Sequence, residues 1–275
     1  MNSLTIDPLI QWRADVETSL RREYGWLALS GLFWLEEGEN SAGSGEGNSI
    51  RLPDRFPESA GVFSLINREV RFQTNQDFGW RLNDELLEGM SGPLKADASG
   101  DPDFLYLDDL RLGVIERTDQ LAIRIWDPHH PVRQTFTGRR WFEPNGAFRI
   151  PAKIIPYDPP KAVIVADFVG IQRSGQMDAR LEFAIQDDIF SLDAERLEDN
   201  SFYIIFRDTT AGVSTYPAGR YLITEVAEGE SVVIDFNRAY SPPCSFTEFA
   251  TCPLPQPGNI FPVGIEAGER YGKLD

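Results

Sequence analysis

The sequence predicts a mainly β protein, built from antiparallel sandwich- or barrel-type sheets with one N-terminal helix. Short apolar stretches recur along most of the chain at the spacing of strands, and clusters of turn residues separate them. The 275 residues include 23 Gly and 19 Pro, which suits a fold with many turns. Hydrophobic residues make up 41% of the chain, enough for a buried core of ordinary size.

The N-terminal segment carries the one pattern typical of a helix. Its apolar residues recur at three- and four-residue steps: Leu9, Trp12, Val16 and Leu20. Asp7 and Pro8 suit the cap and the first turn of such a helix. We therefore expect a helix from Pro8 to Tyr24, and mostly strands and turns after it.

The strands are expected where apolar residues alternate or run together. Val62–Ile66 and Glu69–Gln73 flank Asn67-Arg68, a pattern that indicates a β-hairpin. The other main strand predictions, in chain order, are Leu105–Leu107, Leu112–Arg117, Leu121–Trp126, Ser201–Asp208, Tyr221–Val226 and Ser231–Phe236.

The expected organisation has three parts: a helix in residues 1–25, a sandwich-like part in 26–127 and a second β-rich part in 128–275. Proline-rich segments at residues 127–131 and 156–160 suggest the division. Both segments could equally be loops of one continuous domain.

The front half resembles the forkhead-associated sandwich in the order of its features from Gly43 to Arg117. A glycine-rich turn is followed by short strands and by Arg81-Leu-Asn-Asp84. That family binds phosphothreonine through a Gly-Arg pair and a Ser-x-x-His motif. Here the second motif reads Glu58-Ser-Ala-Gly61, and no Gly-Arg precedes it. The resemblance thus implies a related scaffold without the phosphothreonine site.

The chain is strongly acidic, with a formal net charge of −17 at pH 7. Such a surface repels phosphate backbones and anionic membranes, so we expect neither nucleic acid nor a membrane as a partner. The N-terminus lacks the pattern of a signal peptide, and no apolar run is long enough to span a bilayer. We therefore expect a cytoplasmic protein in which Cys244 and Cys252 are thiols.

Polar residues concentrate where the C-terminal strands end. Tyr221–Val226 and Ser231–Phe236 are joined by four residues, which predicts a hairpin. Its simplest register places Arg220 opposite Asn237, and Asp235 beside them on the same face. A slip of one residue would change the faces, so the prediction concerns proximity.

This cluster has two interpretations. Arg220 could anchor an anion or carboxylate while neighbouring polar groups orient a substrate and tyrosines donate hydrogen bonds or protons. Alternatively, Arg220 and Asp235 form a structural ion pair that ties the strands to the loops, and the sequence favours this simpler interpretation. The ligand-binding candidates are Arg220, Asp235, Asn237, Tyr240, Tyr216, Arg124 and Asp208.

Cysteine and histidine chemistry receives less support. Cys244 and Cys252 lie on proline-bordered turns, and no CxxC or HxH spacing accompanies them, so we expect structural cysteines and no metal or cofactor. A thiol nucleophile would need a base, and the two histidines, His129 and His130, are more simply turn residues in solvent. No nucleophile–base pair can be named, and whether the protein is an enzyme stays open.

Several motifs resemble a bacterial and archaeal family known only as domain of unknown function 1684. They are Asp235–Cys244, Ala250–Pro255, Ala267–Glu269, Thr215–Tyr221, Gly25–Gly31 and Arg124–Asp127. Members of that family typically carry Asn where Ser241 stands, so the resemblance gives Ser241 no essential role. It implies no activity, cofactor or catalytic residue either.

Three functional hypotheses follow. The first is binding, with or without transformation, of a small polar or anionic metabolite at the open end of the C-terminal hairpin. The second is a non-catalytic module that binds a protein partner through the front sandwich. In the third, the polar cluster is structural and another surface acts. The oligomeric state is not predicted by any of them.

Overall fold

A computed structural model describes residues 8–75 and 77–271. The protein is mainly β, with antiparallel sheets and one N-terminal helix, which confirms the predicted fold class. The chain divides into two compact units. We call Leu20–Phe136 the inserted unit, and Met1–Ser19 together with Thr137–Asp275 the terminal unit.

Helix α1 spans Pro8–Leu20, so it begins where predicted and ends four residues earlier than Tyr24. The predicted cap Asp7 lies outside the described residues. In the terminal unit, the Trp12 ring meets Trp141 edge to face, with 5.7 Å between ring centroids. Arg13 extends over the same Trp141 ring, so contacts far along the chain hold this helix.

The inserted unit contains two sheets and a short helix. One sheet has six strands in the order β1-β10-β9-β8-β6-β7, and the other has four in the order β3-β2-β4-β5. The elements are β1 (Leu29–Trp34), β2 (Gly38–Gly43), β3 (Ile50–Arg51), β4 (Gly61–Ile66), β5 (Glu69–Thr74), β6 (Arg81–Leu82), β7 (Glu85–Leu86), β8 (Phe104–Leu107), β9 (Leu110–Arg117), β10 (Gln120–Trp126) and α2 (Pro131–Thr135).

The hairpin predicted around Asn67-Arg68 is confirmed, because β4 and β5 pair in register across that turn. Asn67 and Arg68 adopt φ angles of 52° and 67°, the left-handed region that two-residue hairpin turns require. Phe63 and Phe72 face each other in this pair and pack with Trp80 in the core. The resemblance to the forkhead-associated sandwich is not confirmed.

The terminal unit is dominated by one six-stranded antiparallel sheet in the order β16-β15-β14-β13-β12-β17, with a two-stranded sheet of β11 and β18. Its core side chains come from one face of this sheet, where large aromatic residues such as Phe206, Phe236 and Phe261 meet. The strands are β11 (Arg140–Trp141), β12 (Arg149–Ala166), β13 (Gln172–Ile185), β14 (Asp188–Arg196), β15 (Phe202–Phe206), β16 (Arg220–Ile223), β17 (Ser231–Asp235) and β18 (Glu269–Arg270).

The predicted hairpin between the strands beginning at Tyr221 and Ser231 is wrong. β16 pairs with β15, which puts Arg220 opposite Phe206, and β17 pairs with β12, which puts Asp235 opposite Arg149. Each of the two strands therefore pairs with a strand that precedes it in the sequence. Little of the expected pairing remains beyond a hydrogen bond from Glu225 N to the carbonyl of Val233.

The long strands β12 and β13 pair along most of their length and are interrupted once. The pairing shifts between Pro156 and Lys161, where Pro159 and Pro160 lack the amide hydrogens that a regular ladder needs. Val165 and Ala166 lie beyond this bulge, near the end of β12.

No helix among the described residues combines the length and the apolar character needed to cross a membrane.

Candidate functional site

The predicted anion anchor Arg220 is a buried structural residue. Its Nη2 donates to Asp208 Oδ2 at 2.8 Å and to the carbonyl of Ile265 at 2.9 Å, and its Nη1 donates to the carbonyl of Ala267. Both side chains of the ion pair are 1% exposed. Burial lowers the pKa of Arg220, and the Asp208 carboxylate opposes that shift. The guanidinium is therefore occupied by the protein itself.

Asp208 completes this network with its other oxygen. Oδ1 accepts hydrogen bonds from the backbone N of Thr210 at 2.8 Å and from the Thr210 hydroxyl. Asp208 also borders a depression of about 440 Å³, together with Thr209, Pro217 and Phe261. Both oxygens of its carboxylate are nevertheless bonded within the protein.

Asp235 and Asn237 lie together, as predicted, but in a turn that they stabilise. Asp235 Oδ1 accepts from the backbone N of Asn237 at 3.1 Å and from its side-chain amide at 2.8 Å. The Asn237 amide also exchanges two hydrogen bonds with the backbone of Asn145, at 2.9 and 3.0 Å. Both residues are buried. This pair ties residue 145 to the end of β17.

In the terminal unit, Tyr216 is buried and Tyr240 is half-buried. The Tyr216 hydroxyl donates to the carbonyl of Cys244 at 2.8 Å. Tyr240 exchanges backbone hydrogen bonds with Tyr221 and packs against the Trp12 ring. Burial is the main cause that raises the pKa of both phenols, so neither is prepared to release a proton near neutral pH.

Arg124 belongs to the inserted unit, whereas the other six candidates belong to the terminal unit. Its side chain is buried, and its guanidinium lies 5.9 Å from the centroid of the Trp26 ring. The structure thus brings Arg220 together with Asp208, and Asp235 together with Asn237. Arg220 and Asp235 form no ion pair with each other in the described part of the chain.

A cleft of about 400 Å³ opens elsewhere in the terminal unit, and it offers a better setting for a ligand. One wall comes from the β12–β13 pair, with Val165 and Met177, and the other from Ile205 and the segment that includes Leu254. Backbone hydrogen bonds join the two walls, since Leu254 N donates to the carbonyl of Ala166 at 2.8 Å. These side chains supply the apolar part of a lining that also contains many polar groups.

Asp193 contributes a buried carboxylate to this cleft. Tyr157 Oη donates to its Oδ1 at 2.7 Å, and Lys161 Nζ donates to its Oδ2 at 2.5 Å. The side chain of Asn259 exchanges hydrogen bonds with the Asp193 backbone at 2.7 and 2.9 Å. Burial, and then the hydrogen bond to Asp193, raise the pKa of Tyr157 to about 12. Asp193 therefore holds both ends of the β12 bulge and adds a polar floor.

Other polar groups around the cleft are available to a ligand. Arg173 and Glu195 both line it and are exposed, and neither forms an ion pair with a residue of the described ranges. Tyr203 lines it too, and burial raises the pKa of its phenol, which therefore stays a hydrogen-bond donor at neutral pH. The cleft thus combines apolar surface with exposed charged groups of both signs and a neutral donor.

This cleft could not be predicted from the sequence, for a physical reason. Its residues lie on four strands and on a segment near residue 254, which only the sheet topology brings together. Two local signals exist. The Tyr157–Lys161 segment interrupts a strand with two prolines, and Asp193 stands inside an otherwise apolar stretch of β14.

A metal centre is not indicated by the side chains. Within residues 8–75 and 77–271, no three His, Cys, Asp or Glu side chains come together in a way that could hold a metal ion. Cys244 and Cys252 are both free and buried.

The comparisons with known proteins identify a family but no activity. A family model described as "Protein of unknown function (DUF1684)" matches residues 134–270, which confirms the resemblance predicted from the sequence motifs. An uncharacterised protein of Haloarcula marismortui, solved by NMR in solution, is 28% identical and has a TM-score of 0.43. That match covers 50% of this chain and 79% of the archaeal chain. No curated protein matches the chain.

Proposed function

Since the chain belongs, through residues 134–270, to the DUF1684 family of proteins of unknown function, we propose a function from the geometry of that region. We propose that the terminal unit binds a small polar metabolite in the cleft beside Asp193. The observation that carries this proposal is the cleft itself, about 400 Å³ in volume, which the exposed charged side chains of Arg173 and Glu195 line.

The size and lining of the cleft support a small ligand. Pockets for small molecules commonly have volumes of about 300–1,000 Å³, with mostly apolar walls and a few polar groups that fix orientation. Val165, Met177 and Leu254 supply apolar surface here. A ligand with a short apolar body would therefore gain affinity by burying that body against these residues.

The polar groups define the rest of the ligand. Arg173 suits a carboxylate or phosphate, because a guanidinium binds either through two parallel hydrogen bonds. On β14 and β15, the Glu195 carboxylate can accept a hydrogen bond from a ligand, and the Tyr203 hydroxyl can donate one. The cleft is therefore suited to a molecule with an anionic group and a second polar group, joined by a short apolar part.

A thermal-shift screen tests this proposal with a panel of amino acids, small carboxylates, phosphoesters and nucleosides. Met177→Trp fills the cleft, while Ile189→Trp adds the same ring at a 73% exposed position of β14 outside it. A panel compound at about 100 times its Kd should stabilise the wild type and the Ile189→Trp variant by about 2.7 kcal/mol, and the Met177→Trp variant much less.

The same screen separates the cleft from the cluster predicted by the sequence. Thr209→Trp fills the depression beside Asp208 and leaves the cleft open. If the stabilising compound loses its effect on Thr209→Trp and keeps it on Met177→Trp, the ligand binds at the Arg220–Asp208 end and the cleft proposal fails. The proposal fails as well if no panel compound stabilises the wild type.

The other hypotheses stay predictions. Among the described residues of the inserted unit, no surface feature supports the hypothesis of an interaction module in residues 26–127. Catalysis is equally untested, since the cleft contains acids and a tyrosine but no nucleophile paired with a base. Binding is the function that the geometry supports best.

A further inference from the structure

The two cysteines of the chain lie side by side in the terminal unit. Cys244 and Cys252 are 8% and 4% exposed, and the backbone N of Cys244 donates to Cys252 Sγ at 3.2 Å. They are the only cysteines in the sequence. Prolines at positions 242, 243 and 253 limit the backbone on both sides of the pair, so the contact is a built-in feature of these turns.

The two thiols differ in their chemistry because they are in contact. A hydrogen bond from the Cys252 thiol lowers the pKa of Cys244, and the same interaction is the main cause that raises the pKa of Cys252. Thiolates are the reactive form of cysteine. Cys244 is therefore the more reactive thiol, and Cys252 is held next to it as a protonated partner.

The surroundings restrict which oxidant can reach the pair. Tyr216, Tyr221 and Ala250 pack around the two thiols in a small buried cluster. The Tyr216 hydroxyl donates to the Cys244 carbonyl at 2.8 Å, which fixes the position of that residue. Only 8% of Cys244 is exposed, so a small oxidant such as hydrogen peroxide can reach its sulfur more easily than a bulky peptide that carries a disulfide.

We propose that Cys244 and Cys252 form a reversible intramolecular disulfide in response to hydrogen peroxide. The Cys244 thiolate attacks one peroxide oxygen, the O–O bond breaks, and hydroxide leaves, so that Cys244 becomes a sulfenic acid. The Cys252 sulfur then attacks the Cys244 sulfur and displaces the sulfenic oxygen. The displaced oxygen leaves as water with the proton of Cys252, and the hydroxide takes up the proton that Cys244 released as it became a thiolate. Two thiols and one peroxide therefore yield one disulfide and two waters.

The disulfide would link residues 244 and 252, and the residues that follow Cys252 in the sequence form part of one wall of the cleft. Pro253 and Leu254 follow Cys252 and line that wall. The Tyr221 hydroxyl donates to the Pro253 carbonyl at 2.9 Å, so the wall is already attached to the cluster around the thiols. This inference depends on the two thiols and is independent of ligand binding in the cleft.

Peptide mapping tests the proposal on the full chain. The protein is treated with hydrogen peroxide, unfolded in the presence of N-ethylmaleimide, digested without reductant by a protease that cleaves after Glu248, between the two cysteines, and analysed by mass spectrometry. We expect a cross-linked pair of peptides with two hydrogens fewer than the thiols and no maleimide on either cysteine, and we expect dithiothreitol to reverse it. Two maleimide adducts, or sulfonic acids without a cross-link, would overturn the proposal.

Single variants assign the roles of the two thiols. In Cys252→Ala, the sulfenic acid on Cys244 has no partner, so dimedone should label it after peroxide treatment. In Cys244→Ala, Cys252 should remain a thiol under the same conditions. Dimedone labelling of Cys252 with none on Cys244 would contradict the assignment. Should either variant fail to fold, the cross-link in the wild type still decides the main point.

Discussion

At the scale of single residues, the same side chains that suit an anion site are used here to hold the fold. Arg220 is 1% exposed and donates to one carboxylate and two backbone carbonyls, so the fold holds its guanidinium away from a ligand. Gly219 lets the chain turn into this position: it adopts φ = 103°, and an added Cβ would meet the Phe206 carbonyl oxygen at 2.5 Å. Composition alone could not distinguish a buried network from a site.

Arg220→Met should lower the free energy of unfolding by about 3–5 kcal/mol, because it leaves the Asp208 carboxylate buried without a counter-charge. Urea titration measures this loss. Arg149→Met is the matched control, since Arg149 is 54% exposed in its ion pair with Glu225 and should cost less than about 1 kcal/mol. Similar losses in the two variants would contradict the structural role of Arg220.

Tyr157 predicts a dependence of stability on alkaline pH. Its pKa is raised from 10.0 to about 12 in the folded protein, so between these values the unfolded chain loses the phenolic proton first. The stabilisation from this group is therefore complete below the unfolded pKa and is lost as pH rises through the folded pKa.

The stability of the wild type relative to Tyr157→Phe should consequently decrease between about pH 10 and about pH 12. Urea unfolding of both proteins at each pH measures the difference, and the other buried tyrosines cancel because both proteins contain them. A difference that stays constant over this range would show that Tyr157 is not held in its protonated form.

At the scale of elements, the bulge in β12 positions one wall of the cleft. A strand with two consecutive prolines cannot continue its ladder, and the pairing with β13 resumes only at Lys161. Asp193 on β14 binds both Tyr157 and Lys161, the two ends of the interruption. The carboxylate therefore fixes the shape of the bulge as well as the floor of the cleft.

Asp193→Ala should loosen this bulge while the rest of the sheet stays intact. The loss of two hydrogen bonds, one of them to a charged group, should cost about 2–3 kcal/mol of unfolding free energy. Hydrogen exchange should be faster at the amides of residues 161–166 and unchanged in the core of β15. Asp188→Ala, at the exposed start of β14, is the control and should leave both quantities unchanged.

Local elements could be predicted from the sequence, whereas strand partners could not. The β4–β5 hairpin needs only adjacent strands and two turn residues that tolerate positive φ, so the sequence around Asn67 contains the whole signal. β16 and β17 pair with strands that precede them in the sequence, and nothing in residues 220–237 specifies those partners. The wrong hairpin in turn produced the expected Arg220–Asp235 cluster.

At the scale of the whole molecule, the terminal unit is discontinuous in sequence. Helix α1 belongs to it through contacts of Trp12 and Arg13 with residues near 141, although more than a hundred residues separate them along the chain. Composition and proline-rich segments indicate boundaries along a chain, but they do not indicate which separate segments pack into the same unit. The cleft has the same origin, because β12, β13, β15 and the segment around Leu254 meet only in the finished sheet.

A crystallographic screen with small polar fragments shows directly whether the cleft binds ligands. We expect bound fragments in the cleft, in contact with Tyr203, Arg173 or Leu254, and we expect none to displace the partners of Arg220. Crystals of Met177→Trp should lose those fragments, and crystals of Ile189→Trp should keep them. Fragments bound at the Asp208 depression, with the cleft left empty, would show that the cleft is not the binding site.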